Sequence, residues 1–198
     1  TTALAAAVTL VAVTALAGAC APPTPPEPAP LIECEQVAGG ITYTPPATTT
    51  PTDVTIATEP GFELRNCSDR TGGTITSGEL DIAVLFTDWG CEPLTTGQPL
   101  GEGGGTIRWS DGATSTVSAR AFGGPGGSFI SELTLTGGRF AGSSGSVATF
   151  VTSAVGSCAP GVGVTRAFLA SDDPLAFVAA VAPILPPRTD LATVDTGQ

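Results

Sequence analysis

The sequence predicts an all-β protein, a single antiparallel β-sandwich or β-barrel of about eight or nine strands. Three observations carry this. In residues 79–87, Leu80, Ile82, Val84 and Phe86 fall on one face and Glu79, Asp81, Ala83 and Leu85 on the other, the period-two pattern of a strand with one buried and one partly wet face. Thr106-Ile107-Arg108-Trp109 and residues 114–122 flank Ser110-Asp111-Gly112-Ala113; Asp-Gly tolerates the positive φ of a tight turn, so these strands are expected to pair as a hairpin. Finally, Gly and Pro punctuate the apolar runs, and no segment inside the domain sustains a helical period.

The chain opens on an almost uninterrupted apolar run over residues 3–17. A membrane-spanning helix needs about 20 such residues, so the run has the size of a secretory signal's apolar region, and residues 1–19 are expected to be cleaved. Ala17-Gly18-Ala19 satisfies the small-x-small rule of ordinary signal cleavage. With Cys20 it also resembles a bacterial lipobox, in which the cysteine thiol is alkylated with diacylglycerol; Leu16 stands one position earlier than the usual pattern has it. Cysteine parity favours lipidation of Cys20, because it leaves Cys34, Cys67, Cys91 and Cys158 as an even set suited to an oxidising compartment. Plain secretion is the alternative. Each buried acyl methylene contributes ~0.8 kcal/mol, so the anchor would hold the protein on the outer face of the cell membrane. The rest of residues 20–30 is Pro-rich; extended polyproline II at ~3.1 Å per residue would place the domain roughly 30 Å from the bilayer.

Residues 31–171 form the expected disulfide-stapled β-domain. Strands are expected over residues 53–58, 62–65, 79–87, 106–109, 114–122, 129–136, 147–155 and 162–170, with the signals beginning at Ile41. Gly101-Glu102-Gly103-Gly104-Gly105 reads as a flexible connector, and its glutamate would repel a phosphate. After Ser171-Asp172-Asp173-Pro174, residues 175–181 are expected to form a short helix, since Asp caps a helix and Pro suits its first turn. Residues 172–198 would thus be a short helix and a disordered tail. The four remaining cysteines allow three pairings. The preferred one joins Cys34 to Cys67 and Cys91 to Cys158, each bridge contributing ~2–4 kcal/mol.

Composition excludes much chemistry. There is no histidine, so no Ser-His-Asp triad, Cys-His pair or imidazole metal site. All seven basic residues are arginines, so Ser-Lys dyads, Schiff bases and the phosphate-binding loop are absent too. The net charge of -11 argues against nucleic acid as a partner. Paired carboxylates remain a route to glycoside hydrolysis, with Glu79, Asp81, Glu92, Glu102 and Asp111 as candidates. Two residues apart on a wet strand face, however, acids usually serve solubility. Asp172-Asp173 reads as a helix cap, Asn66-Cys67-Ser68 as an accidental glycosylation pattern, and Tyr43, Trp89 and Trp109 as core.

Three stretches carry a resemblance: Thr42-Tyr43-Thr44-Pro45-Pro46; Ile107-Arg108-Trp109-Ser110-Asp111-Gly112 with Thr114-Ser115; and Thr136-Gly137-Gly138-Arg139-Phe140-Ala141-Gly142. Together they resemble a group of uncharacterised secreted or lipid-anchored all-β proteins of actinobacteria, and the prevalence of Ala, Gly, Thr and Pro fits such high-GC genomes. The resemblance implies location and fold, and no activity. The Gly-Gly-Arg-Phe-Ala-Gly piece, with Gly145, also looks like the glycine-rich hairpin of dirigent and allene oxide cyclase barrels, which implies a barrel that binds hydrophobic small molecules.

The sequence therefore leads to the expectation of a monomeric, non-enzymatic envelope lipoprotein whose β-domain binds a small apolar ligand or an envelope protein. No cofactor or metal is expected. A carboxylate-dependent hydrolase or cyclase-like enzyme is the first alternative, and a structural envelope component the second.

Overall fold

A computed structural model describes residues 28–90, 100–124, 128–159 and 161–180. The expected signal peptide, Cys20, most of the Pro-rich tether, Glu92, Cys91 and the tail beyond residue 180 lie outside the described residues. Ten strands are present and, among the described residues, no helix. They are β1 (Pro30–Ala47), β2 (Thr52–Thr58), β3 (Phe62–Asp69), β4 (Gly78–Trp89), β5 (Leu100–Trp109), β6 (Thr114–Gly124), β7 (Ser128–Gly138), β8 (Ser143–Ser157), β9 (Gly163–Ala170) and β10 (Leu175–Ala179).

The all-β expectation holds, and the choice between sandwich and barrel resolves to a barrel. Each strand pairs antiparallel with its neighbour from β1 through β2, β4, β5, β6, β7, β8 and β9, and β9 returns to β1, closing an eight-stranded ring. The two additional strands extend staves of that ring. β2 and β3 both pair with β1 and with β4, so they form one stave interrupted at Glu59-Pro60-Gly61, where proline has no N–H to give the ladder. In the same way β9 and β10 both pair with β1 and with β8.

β1 is the long stave that both broken ones share. Its residues 32–38 face β3, and its residues 41–44 face β2. The change of partner falls at Gly39-Gly40. A Cβ on Gly39 would lie 2.5 Å from Phe62 Cδ1, and one on Gly40 would lie 2.5 Å from the Glu59 carbonyl oxygen. Only glycine lets the backbones approach this closely.

Three expectations are corrected. The strand signal begins at Pro30, ahead of Ile41, because Ile32, Cys34 and Val37 are buried while a local irregularity at Glu35-Gln36 breaks the simple alternation. Residues 175–179 are strand β10 and not a helix. Leu175 and Phe177 are fully buried while Ala176 and Val178 are only half so; pairing with β1 and β8 outweighs the Asp-Pro cap signal. Ser171 and Asp173 form a local turn instead, with the Asp173 amide donating to Ser171 Oγ at 3.1 Å. The β-domain accordingly runs to Ala179, past the expected boundary at 171.

The third correction concerns the glycine run, which is the body of β5 and not a connector. Gly103 faces Val84 and Gly105 faces Ile82 across the ladder. A Cβ at Gly103 would fall 1.9 Å from the Ala83 carbonyl oxygen, and at Gly105 1.8 Å from that of Asp81. The run marks close backbone approach, which composition alone cannot distinguish from flexibility.

Candidate functional site

The barrel interior is plugged at both ends by aromatic clusters built on opposite ends of β4. At the Trp89 end, Tyr43 stacks on Trp89 with ring centroids 5.5 Å apart, and Phe86 and Phe129 pack behind it. Gly78, at the other end of β4, pairs with Trp109. There Trp109 meets Phe140 and Phe177 edge to face at 5.6 and 6.4 Å. The three aromatics expected in the core, Tyr43, Trp89 and Trp109, are all buried.

The Trp109 end is locked by polar groups. Trp109 Nε1 donates to Ser115 Oγ at 2.8 Å, and that hydroxyl donates to the Arg139 carbonyl oxygen at 2.5 Å. The hairpin of the Gly-Gly-Arg-Phe motif thus supplies a plug: Phe140 sits at φ 58° and turns its ring onto Trp109. The Arg139 guanidinium lies 4.9 Å above that ring and reaches Asp69 at the end of β3. Burial alone would raise the Asp69 carboxyl, but hydrogen bonds from the Thr71 hydroxyl and amide, then Arg139, outweigh it and hold the group below its ordinary value.

Between the plugs, toward the Trp89 end, lies a pocket. It encloses a cavity of about 40 Å³, and its empty space reaches about 400 Å³ when the open mouth is counted. Phe62, Phe86 and Phe129 and six aliphatic side chains form its walls, and the polar members of the lining are the hydroxyl residues Thr58, Ser131 and Thr149. Thr149 Oγ1 is spent on the Phe129 carbonyl oxygen at 3.4 Å. Thr58 Oγ1 accepts from the Ile82 amide at 3.0 Å, filling the gap in the ladder at the β2–β3 break. Ser131, half-buried, has no such partner among the described residues and is the polar handle the pocket offers. No ionisable side chain lines it.

The carboxylates weighed for hydrolysis do not converge. Glu79 pairs with Arg108 across the outer face of β4 and β5 at 3.1 Å, and Glu102 pairs with Arg120 at 3.6 Å. Asp81 and Asp111 are exposed; the first accepts from Thr58 Oγ1 and the second caps its own hairpin turn by accepting from the Ala113 amide. Among the described residues no group of three or more Cys, Asp or Glu is placed to hold a metal.

The cysteines fall as preferred where they are described. Cys34 and Cys67 face each other directly across β1 and β3 and are disulfide-bonded. Closing a loop with a sequence separation of 33 restricts the unfolded chain by ~4 kcal/mol. Cys158 is disulfide-bonded as well, while its expected partner Cys91 lies outside the described residues. Disulfides are consistent with an extracytoplasmic location.

Sequence reasoning missed Ser131, Arg139 and Asp69. Serine and threonine alternate through most strands of this chain, so a single inward hydroxyl carries no local signal. The Asp69–Arg139 pair depends on the β3 and β7 ends meeting, which only closure of the barrel determines. Comparison with protein-family models, curated proteins and solved structures finds no match for this chain.

Proposed function

We propose that this protein is a non-enzymatic binding module of the cell envelope, held to the outer face of the membrane by a lipid on Cys20, whose barrel takes a small, neutral, apolar ligand. The observation that carries the reading is the pocket: an apolar interior with a hydroxyl handle at Ser131 that has no partner among the described residues, and no ionisable side chain in its lining. A charged ligand would lose its hydration there without gaining a partner, a cost of several kcal/mol. A neutral one loses little.

Size sets the kind of ligand. Pockets that enclose a drug-sized molecule measure about 300–1,000 Å³, well above the enclosed 40 Å³. The pocket therefore suits at most the slender end of a chain, with the rest of the molecule in the mouth. No ionisable side chain lines the pocket to activate its hydroxyls, which favours binding over turnover.

Intact mass spectrometry of the protein extracted from its own host tests both halves. A denatured mass above that of the peptide starting at Cys20 by a diacylglyceryl increment supports the anchor, and an unmodified mass removes it. A native mass exceeding the denatured one by a small neutral molecule supports the ligand; equal masses, together with no binding of n-octanol, would remove it.

A further inference from the structure

The wall of the barrel is interrupted between β2 and β3, and the pocket reaches that point. On β4, Ala83 pairs with Ala57 and Leu80 with Phe62, so Asp81 and Ile82 between them have no ladder partner on that side among the described residues. Thr58, Phe62 and Ile82, which surround the break, all line the pocket. Ile82 points inward between Leu80 and Val84, which are 2% and 4% exposed, yet it is itself only half-buried. Thr58 is half-buried as well. The mouth of the pocket therefore opens at this break.

Three acids stand around the mouth, and their partners differ. Glu59 pairs with Arg166 at 3.4 Å, and Glu79 pairs with Arg108 at 3.1 Å. Asp81 has no such cation. Its Oδ1 accepts from Thr58 Oγ1 at 3.1 Å, and its Oδ2 has no partner among the described residues. The arginines among the described residues are all engaged with other acids. This carboxylate thus stands without an opposing charge, one hydrogen bond from the pocket lining.

We propose that Asp81 selects the head group of the bound molecule, an aliphatic chain ending in a hydroxyl and not in a carboxylate. The inference rests on the binding reading above. An ionised carboxylate only accepts hydrogen bonds. A chain whose tail lies in the pocket and whose hydroxyl reaches the mouth can donate to Asp81, a charge-assisted bond. A carboxylate head brings a second acceptor of the same sign and meets repulsion. The net charge of -11 acts in the same direction, because it lowers the concentration of anions near the surface. An ammonium head would find the opposite charge, but an exposed pair of this kind contributes little, and Phe62 and Ile82 beside it would strip part of the cation's hydration.

Binding of n-octanol, octanoate and octylamine to the full chain, in wild type and Asp81→Asn, provides the test. The wild type is expected to bind n-octanol about tenfold more tightly than octanoate. Asp81→Asn removes the charge and keeps the shape, so the two ligands should move in opposite directions, octanoate about fivefold tighter and n-octanol about threefold weaker. A residue that merely supports the wall would move both the same way. Added salt should narrow the gap in the wild type and leave that of the variant unchanged. Asp81→Ala serves as a second variant should Asp81→Asn fail to fold.

Octanoate affinity that rises in neither folded variant overturns the proposal, as does octylamine binding more than about tenfold tighter than n-octanol. Binding of none of the three by the wild type removes the pocket reading and this proposal with it, whereas binding without the opposite shifts removes this proposal alone.

Discussion

Arg139 donates from Nη2 to Asp69 Oδ2 at 3.0 Å, joining residues 70 positions apart in the chain. This contact ties the β7–β8 hairpin to the end of β3, and so fixes the plug that Phe140 makes against Trp109. The Asp69 side chain is 1% exposed and that of Arg139 35%; the pair is thus a half-wet one, worth less than a fully buried ion pair. Asp69→Asn should cost about 2 kcal/mol at neutral pH in urea unfolding.

The same pair dictates a pH dependence. The folded Asp69 carboxyl lies below its ordinary value, so its contribution is full above the unfolded value of ~3.9 and is lost as pH falls through the folded one. Urea unfolding of wild type and Asp69→Asn at several pH values should therefore show a gap that is constant near neutrality and narrows only below about pH 4. A gap unchanged down to the lowest pH would deny the carboxylate its role.

Ser115 holds both Trp109 and the Arg139 carbonyl. Ser115→Ala leaves a buried indole N–H without an acceptor, a loss of about 1–3 kcal/mol. Thermal unfolding measures this directly, and a loss below ~0.5 kcal/mol would mean that water or a shifted backbone takes over the bond.

Two strand glycines, Gly103 of β5 and Gly137 of β7, give a contrast. Gly103→Ala drives a methyl into the Ala83 carbonyl and should destabilise by about 3 kcal/mol. Gly137→Ala meets only Thr116 at 3.5 Å, an ordinary contact, and should change stability by less than ~1 kcal/mol. Denaturant midpoints of the two variants separate close approach from mere flexibility in the glycine-rich strand.

Tyr43 is the single tyrosine of the chain, so its titration can be read without interference. Burial pushes its hydroxyl up to about 12. Because the folded value lies above the unfolded ~10, the contribution to stability is complete below pH 10 and is lost as pH rises toward 12. Phenolate absorbance should appear only near pH 12 in the folded protein; appearance near pH 10 without unfolding would place the hydroxyl in water.

The strands most legible in the sequence were those whose pattern is local. β4 alternates as read, with Leu80, Val84 and Phe86 buried and Asp81 and Leu85 exposed, and the Asp111-Gly112 turn joins β5 to β6, with Gly112 at φ 85°. What escaped depended on partners far away in the chain. β10 is a strand because two unfilled stretches of β1 and β8 wait for it, and Gly103 is in a strand because a neighbouring carbonyl presses on it. The pocket was invisible for the same reason: Thr58, Ser131 and Thr149 come from three different staves, and nothing near each one marks it as inward.

The most direct test of the central claim is a fluorescence titration with n-octanol, read from Trp89, which packs on the pocket walls Phe86 and Phe129, in wild type and in Ala121→Val. Ala121 lines the pocket, and two added methyl groups would occupy much of the enclosed space. The account predicts saturable binding of the alcohol by the wild type, about tenfold weaker binding of octanoate, and a loss of about tenfold in the folded Ala121→Val variant. Equal affinity of wild type and variant, or a preference for octanoate, would contradict it.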